Sequence, residues 1–448
     1  MIGIAGSGMC GIAEVLLALG FKVSGSDLIE NDVSVRLCKL GANVKIGHKA
    51  AWVKNADVVI YSSAVQSDNV ELLAAGEKGI PMIRRSEMLA ELMRLKTGIA
   101  ISGSHGKTSV TSLIGEIAEA GNLDPMVIVG GRLKKLGGGV KSGSGEIMIA
   151  EADEYDKSFL RLSPVIVLIN NIDNDHIECY GTYKELEQAF VTFANSIPFY
   201  GRAFVNLDEK ALFPIIKKIT RPIITFGFSP QSDIKAIDPE YLENRSKFKV
   251  IAYGKLLGEV NLTIPGRFNI LNALGAIAIA NELGIKFSII KSTLEEFSGV
   301  LRRFEIIEEI NQVLVVTDFG HHPTEIAATL IAAKEGWKRR IITVFQAHLF
   351  SRTQALAEQF GQSLLESDVA FVLPIYPARE KPIPGVTGEL IYKAALKLGH
   401  KDIHYLEDKK TAAREVVQVS KPGDIIVVMG AGTVDQLIPE IVELLKQK

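Results

Sequence analysis

A chain of 448 residues, 47% hydrophobic and 23% charged, has the length of about three domains and enough apolar side chain to bury real cores, which excludes a disordered polypeptide. Its 50 basic and 52 acidic residues leave a formal net charge of -2, so there is no basic field for nucleic acid. Three cysteines (Cys10, Cys38, Cys179) lack metal or redox spacing, which excludes a disulfide scaffold and suits a reducing compartment. No apolar run approaches the ~18 residues of a membrane span, and the expectation is a soluble cytoplasmic protein.

The first region, to about Leu95, alternates short apolar strands with helical stretches. Met1 to Ala5 reads as a strand and not as a leader. It feeds Gly6-Ser7-Gly8-Met9-Cys10-Gly11, a Gly-x-Gly-x-x-Gly turn that opens a helix over Ile12 to Leu19. A second strand, Val23 to Ser26, ends at Asp27. This is the layout of a dinucleotide-binding βαβ unit, in which glycines admit a pyrophosphate and the acid holds a ribose hydroxyl. A tight strand–helix turn with Asp27 as a cap has the same spacing. The strand Val58 to Tyr61 ends in Ser62-Ser63-Ala64, at the edge where open α/β sheets bind ligands.

The second region runs from about Lys96 to Leu301. The apolar run Gly98 to Ile101 enters Gly103-Ser104-His105-Gly106-Lys107-Thr108-Ser109, and Val110, Leu113, Ile114 and Ile117 then mark one face of a helix stopped by Gly121-Asn122. Backbone N–H groups converge in such a loop and the helix terminus adds partial positive charge, so phosphate is its natural occupant. Lys107 is placed to reach the outer phosphates and the Thr108 hydroxyl to ligate Mg²⁺. The usual pattern wants glycine where this chain has Ile101. Gly137-Gly138-Gly139 and Ser142 to Gly145 read as loop.

The strand Ile147 to Ala150 ends in Glu151-Ala152-Asp153-Glu154, and an acid at a buried strand's end is the usual second half of an Mg²⁺–nucleotide site. Acidic clusters are commonly solvated, so Glu151, nearest the strand, is the one singled out. Val165 to Ile169 runs into Asn170-Asn171-Ile172-Asp173-Asn174-Asp175-His176, where His176 is a ligand or a solvated loop histidine. Phe248 to Ile264 reads as an inserted antiparallel hairpin. Asn269 and Asn272 cap the next helix or contact a base.

The third region begins near Arg302-Arg303-Phe304. Val313 to Val316 leads to Asp318-Phe319-Gly320-His321-His322-Pro323, with Pro323 suited to a first helical turn. Ile341 to Phe345 leads to Gln346-Ala347-His348 and Ser351-Arg352-Thr353; strands at Val369 to Val372 and Ile425 to Met429 complete a second doubly wound unit. The adjacent histidines have no third ligand at zinc spacing.

Unaided, the residues give three α/β units with an NTP·Mg²⁺ site in the middle one and ligand edges on the other two. An enzyme that activates a substrate with ATP, a nucleotide-driven switch, and an NAD oxidoreductase resting on Gly6, Gly8, Gly11 and Asp27 all remain open. The last leaves the phosphate loop without a purpose.

Across nearly its whole length the chain resembles the Mur ligase family. The resemblance rests on residues 6–14, 24–27, 103–109 (Gly-Ser-His-Gly-Lys-Thr-Ser), 151–156 (Glu-Ala-Asp-Glu-Tyr-Asp), 170–176, 302–304, 318–325 and 346–353, in the family's order. The family's loop is Gly-Thr/Ser-x-Gly-Lys-Thr, which accommodates Ile101. The resemblance implies an α/β protein of three domains: a Rossmann-like UDP-sugar domain (1–95), a central P-loop ATPase-type domain with a small antiparallel insertion (96–301), and a Rossmann-like C-terminal domain (302–448) that brings the amino acid.

It also implies that ATP, with Mg²⁺ or Mn²⁺, activates the lactyl carboxylate of UDP-N-acetylmuramate as an acyl phosphate, which the amine of L-alanine then attacks, in peptidoglycan precursor synthesis. By the same resemblance Gly103 to Ser109 cradle ATP, Lys107 holds the outer phosphates, and Thr108, Glu151 and His176 hold metal. Asn269 and Asn272 contact adenine; Arg302, Arg303, Asp318 and His321 close over the nucleotide; His348 and Arg352 sit by the alanine. Gly6, Gly8, Ser26, Asp27, Ser62, Ser63 and Ala64 bind the UDP half. The alanine-side block departs from the family's Gln-Pro-His-Arg-Tyr-x-Arg-Thr at Ala347, Leu349 and Phe350, and Phe319 stands where Tyr is common. A relative that adds a whole tripeptide to the same sugar nucleotide is the nearest rival, and the 318–325 and 346–353 blocks favour a single alanine.

Overall fold

The computed structural model describes residues 1–62, 64–130, 139–175, 177–378 and 380–448, without the side chains of Ser7 and Glu178. The chain packs as two compact units: residues 1–237, 249–259 and 271–297 form one, and residues 238–248, 260–270 and 298–448 form the other.

In the first unit β1 (Ser24–Asp27) pairs in parallel with β2 (Asn43–Ile46), and β3 (Val59–Tyr61) with β4 (Met82–Arg84). Four helices accompany them: α1 (Ser7–Ala18), α2 (Asp32–Lys39), α3 (Val70–Glu77) and α4 (Arg85–Arg94). The strand expected over Met1 to Ala5 shrinks to one bridging residue. Ile2 links Ser26 to Tyr61, and Gly3, at φ +74°, turns the backbone out of the sheet. The helix starts at Ser7, earlier than its apolar pattern implied, because the glycine turn is its first turn.

The same unit holds the central sheet. Its strands are β5 (Thr97–Ser102), β6 (Met126–Ile128), β7 (Val140–Lys141), β8 (Ile147–Glu151), β9 (Ile166–Ile169), β10 (Arg202–Asn206) and β11 (Ile223–Gly227). They lie in the order β7-β6-β8-β5-β9-β10-β11 and are parallel except for β7. β5 sits between β8 and β9 with Gly98 to Ser102 buried, which is why it reads as an unbroken apolar run. α5 (Lys107–Ala120) follows it directly. β12 (Ile234–Leu242), β13 (Arg245–Ala252) and β14 (Lys255–Leu262) extend the sheet order; Tyr253-Gly254 joins the last two, a connection short enough only for an antiparallel hairpin.

The second unit carries β15 (Glu305–Ile310), β16 (Val313–Asp318), β17 (Ile341–His348), β18 (Val369–Tyr376), β19 (Ile403–Tyr405) and β20 (Ile425–Met429). The order is β15-β16-β20-β17-β18-β19, all parallel but for β15. The α/β class is as expected. Among the described residues no helix is long and apolar enough to cross a membrane.

Candidate active site

Strand order places the Gly103–Ser109 loop. β8, β5 and β9 are neighbours, so their carboxyl ends bring Glu151, the loop after Ser102, and Asn170 to one edge. Gly103 (φ +135°) and Gly106 (φ +83°) bend the loop through conformations that side-chain-bearing residues avoid. A Cβ on Gly106 would lie 2.6 Å from both Asn170 Nδ2 and Asn272 Oδ1. Those two side chains bond to each other at 2.9 Å, and Asn170 Nδ2 also donates to the His105 carbonyl at 3.1 Å. The His105 N–H donates to Asn171 Oδ1 (2.8 Å), the His105 ring lies 3.0 Å from Asp173, and the Asp173 N–H donates to Ser104 Oγ (2.9 Å). The polar run after β9 thus shapes the loop from outside.

Lys107 is held by acids at the end of β8 and just beyond it. Its Nζ donates to Gly103 O (2.7 Å) and to Glu154 Oε2 and Oε1 (2.8 and 3.0 Å). Burial by itself lowers an ammonium's pKa, but Glu154, Asp153 and Glu151 overturn that, so Lys107 is held above the ordinary lysine range and stays charged. In the sequence Glu154 reads as a member of a solvated acidic cluster; in the structure it is 1% exposed. No local signal sets it apart from its acidic neighbours, because what surrounds it, Lys107 and Tyr180, comes from elsewhere in the chain. Glu151 takes a hydrogen bond from Thr108 and one from the Gly130 N–H at 3.0 Å, and burial pushes its carboxyl up against those partners and Lys107. Thr108 and Glu151, both expected at a metal, therefore meet, and an alcohol with a carboxylate is the hard-oxygen donor set that Mg²⁺ takes. Ser109 is buried in the first turn of α5. His176 lies outside the described residues, as do Ser63, Gly137 and Gly138.

At the glycine turn Gly6 caps α1 and Gly8 lies under Arg85, whose Cδ, Nε and Nη1 would be 3.0–3.2 Å from an added Cβ. A guanidinium over a helix-opening glycine turn has the charge and donors to take an anion, and sequence reading missed Arg85. Gly11 packs instead against Val140, with 2.6 Å to an added Cβ. The Asp27 carboxylate accepts the N–H groups of Ala5 and Leu28 at 2.8 Å each and so holds the turn's backbone. Ser26 is fully buried, 3.2 Å from the His48 ring, which is 2.9 Å from Glu71. Ser62 Oγ accepts from the Ala64 N–H at 3.3 Å.

In the second unit the ends of β16, β17 and β18 carry a file of rings. Phe319 meets His321 (5.4 Å between centroids), His321 meets His348 (5.8 Å) and His348 stacks on Tyr376 (5.8 Å). Arg302 and Arg303 place their guanidinium carbons 5.0 and 5.2 Å from the Phe319 centroid. Asp318 is buried, which raises its carboxyl pKa against Arg303; it accepts the N–H groups of Phe304 and Gly320 at 2.7 Å each. Leu349, at φ +73°, makes the turn between His348 and the helix Phe350–Leu364, whose first turn carries Arg352. Asn269 Nδ2 donates to Pro265 O at 2.7 Å, a local turn contact.

A lysine–threonine phosphate loop facing strand-end carboxylates, on a mostly parallel sheet, defines a nucleotide-using α/β protein. Residues 1–97 match the Mur ligase family, catalytic domain, residues 101–280 the Mur ligase middle domain, and residues 302–432 the Mur ligase, glutamate ligase domain. The chain belongs to the Mur ligase family. It is 46% identical over 445 residues to a UDP-N-acetylmuramate–L-alanine ligase of Geotalea uraniireducens, covering 99% of this chain and 97% of that one. It is 47% identical over 448 residues to the enzyme of that name from Persephonella marina, covering 100% and 96%. Among solved structures, a UDP-N-acetylmuramate-alanine ligase from Thermotoga maritima superposes with a TM-score of 0.82 at 26% identity, covering 100% of this chain and 98% of that one.

Proposed function

We propose that this chain uses ATP to join L-alanine to the lactyl carboxylate of UDP-N-acetylmuramate, a cytoplasmic step in making peptidoglycan precursors. The observation that carries the reading is identity of 44–47% along essentially the whole chain to ligases bearing that name. The sugar nucleotide is assigned to residues 1–95, ATP to 96–301, and amino-acid binding and nucleotide closure to 302–448.

The chemistry follows from the poor electrophilicity of a carboxylate and the poor leaving ability of its oxide. Transfer of the γ-phosphoryl group to a carboxylate oxygen gives an acyl phosphate and ADP. The free amine of alanine adds to its carbonyl carbon and loses a proton, and the tetrahedral intermediate expels inorganic phosphate to leave the amide. Lys107, held charged, offsets the repulsion between γ-phosphate and carboxylate, while the N–H groups at the head of α5 cradle the phosphates. Thr108 and Glu151 would hold Mg²⁺, with His176 assigned beside them; bound there, the ion supplies charge neutralisation on the phosphates. Arg85 is assigned to the diphosphate at Gly6 and Gly8, Asp27 and the Ser62–Ala64 edge to the nucleoside. Asn272 is assigned to the adenine side, with Asn269 as a second adenine contact. Arg302, Arg303, Asp318 and His321 are assigned to closure over the nucleotide, and His348 and Arg352 to the amino acid, Arg352 for its carboxylate.

The test is phosphate release and ligated product from ATP, Mg²⁺, UDP-N-acetylmuramate and a panel of amino acids and the tripeptide. Equal phosphate and alanyl product with L-alanine is the expected result; turnover with the tripeptide alone, or phosphate release indifferent to the sugar nucleotide, overturns it.

A further inference from the structure

Lys107 has protein acceptors for its whole ammonium. Its ammonium is shared between Gly103 O at 2.7 Å and both oxygens of Glu154 at 2.8 and 3.0 Å, so a γ-phosphate must compete for it. Glu154 is buried and well anchored: Tyr180 Oη donates to its carbonyl at 2.6 Å, as does the Lys157 N–H at 3.1 Å.

Glu154 also opens a turn that touches the sugar-nucleotide side of the same unit. Within the following segment, Tyr155–Arg161, Asp156 and Lys157 take left-handed conformations (φ +56° and +55°), which side-chain-bearing residues disfavour. Asp156 lies 3.5 Å from Arg84, and Arg161 donates to Glu87 at 2.5 Å. Arg84 and Glu87 flank Arg85, which covers the glycine turn at Gly8. The entry to α4 therefore contacts the glycine turn with one residue and the Glu154 segment with two others.

We infer that Glu154 is a positioning residue that competes with the γ-phosphate for Lys107, and that a diphosphate at the Gly8 turn weakens its hold through Arg84, Glu87 and the 155–161 turn. The inference rests on the proposed placement of UDP-sugar at the glycine turn and of ATP at the Gly103–Ser109 loop. Its logic is linkage: a ligand that draws Glu154 away from Lys107 tightens ATP, and ATP must tighten that ligand by the same factor.

The experiment measures the Kd of a non-hydrolysable ATP analogue with Mg²⁺ on the full chain, with and without saturating UDP-N-acetylmuramate. In the parent chain the sugar nucleotide is expected to lower that Kd by about tenfold, within the usual range of coupling between sites. Glu154→Gln, which keeps the shape and removes the competing charge, is expected to bind the analogue about as tightly without the sugar nucleotide as the parent does with it. Glu154→Asp, which restores the carboxylate, is expected to restore the dependence. An E154Q chain that binds the analogue no more tightly than the parent, or still responds to the sugar nucleotide, overturns the inference. Should E154Q fail to fold, Asp156→Asn, at an exposed position, decides: it should leave the Kd without sugar nucleotide as in the parent and shrink the sugar-nucleotide effect, and an undiminished effect overturns the inference. A parent chain that binds neither nucleotide overturns the proposed function instead.

Discussion

Asn170 Nδ2 donates to Asn272 Oδ1 at 2.9 Å, joining the end of β9 to the helix Arg267–Glu282 across 102 residues of sequence, and the bonded pair stands directly against Gly106. The loop's second glycine is thus constrained twice, by a φ of +83° and by amide atoms where a Cβ would go. Gly106→Ala is expected to cost about 1–3 kcal/mol of stability by strain and to weaken ATP binding by at least tenfold, because the loop N–H groups lose their common focus. Calorimetric titration with ATP and a thermal melt check both; an unchanged ATP Kd would refute the geometry.

Lys107, half-buried, and Glu154, buried, form an ion pair whose halves are not equivalent on removal. Lys107→Ala is expected to abolish turnover and, by stranding a carboxylate that is 1% exposed, to cost about 3–5 kcal/mol. The double variant K107A/E154Q should regain most of that stability while remaining inactive. UDP-N-acetylmuramate binding should survive in both, since the glycine turn lies elsewhere in the unit. A single variant as stable as the parent in urea would refute the ion-pair assignment.

Arg85 covers the glycine turn, where its guanidinium adds charge to the N-terminus of α1. Arg85→Ala should raise the Kd for UDP-N-acetylmuramate by ~10–100-fold, the weight of a charge-assisted contact to a diphosphate. Stability should barely move. The measurement is direct titration with the sugar nucleotide and, separately, with UDP; equal affinities in parent and variant would remove Arg85 from the site.

His400 sets a pH limit far from the chemistry. It is 7% exposed, its Nδ1 accepts the Asp402 N–H at 3.2 Å, and burial pushes the imidazole pKa below its ordinary 6.5 against the carbonyls of Leu364 and Ser367. The folded chain resists protonation that the unfolded chain accepts. Its contribution to stability is therefore complete above pH 6.5 and is lost as pH falls through the lower folded value. Urea midpoints measured between about pH 7.5 and about pH 5 should fall less in His400→Gln than in the parent; parallel curves would count against it.

Much of this was legible in the chain itself. Unbroken apolar runs and period-3.6 apolar patterns, separated by glycine at strand–helix junctions, specify an α/β protein, because each buried strand and each helix face is marked locally. The Gly-Lys-Thr loop, the acid that ends β8 and the polar run after β9 are each legible because their residues are contiguous in sequence. Even so, local pattern misjudged Met1 to Ala5. Apolar content cannot reveal that Gly3 leaves the sheet after a single bridging residue.

Sequence alone determined the Gly103–Ser109 loop between β5 and α5, the glycine turn at the head of α1 and the α/β class, since these depend on residues adjacent in the chain. Only the tertiary structure decided which acid faces Lys107, that Arg85 covers Gly8, and that Asn170 and Asn272 meet over Gly106. Those partners lie 47, 77 and 102 residues apart. Their meeting depends on the strand order that sets β8 and β9 beside β5, on the packing of α4 against α1, and on the approach of the Arg267–Glu282 helix to Gly106. A burial of 1% turned Glu154 from one acid in a hydrophilic run into the counter-ion of the loop's lysine. Burial of that kind is a property of neighbours distant in sequence, so no local pattern carries it.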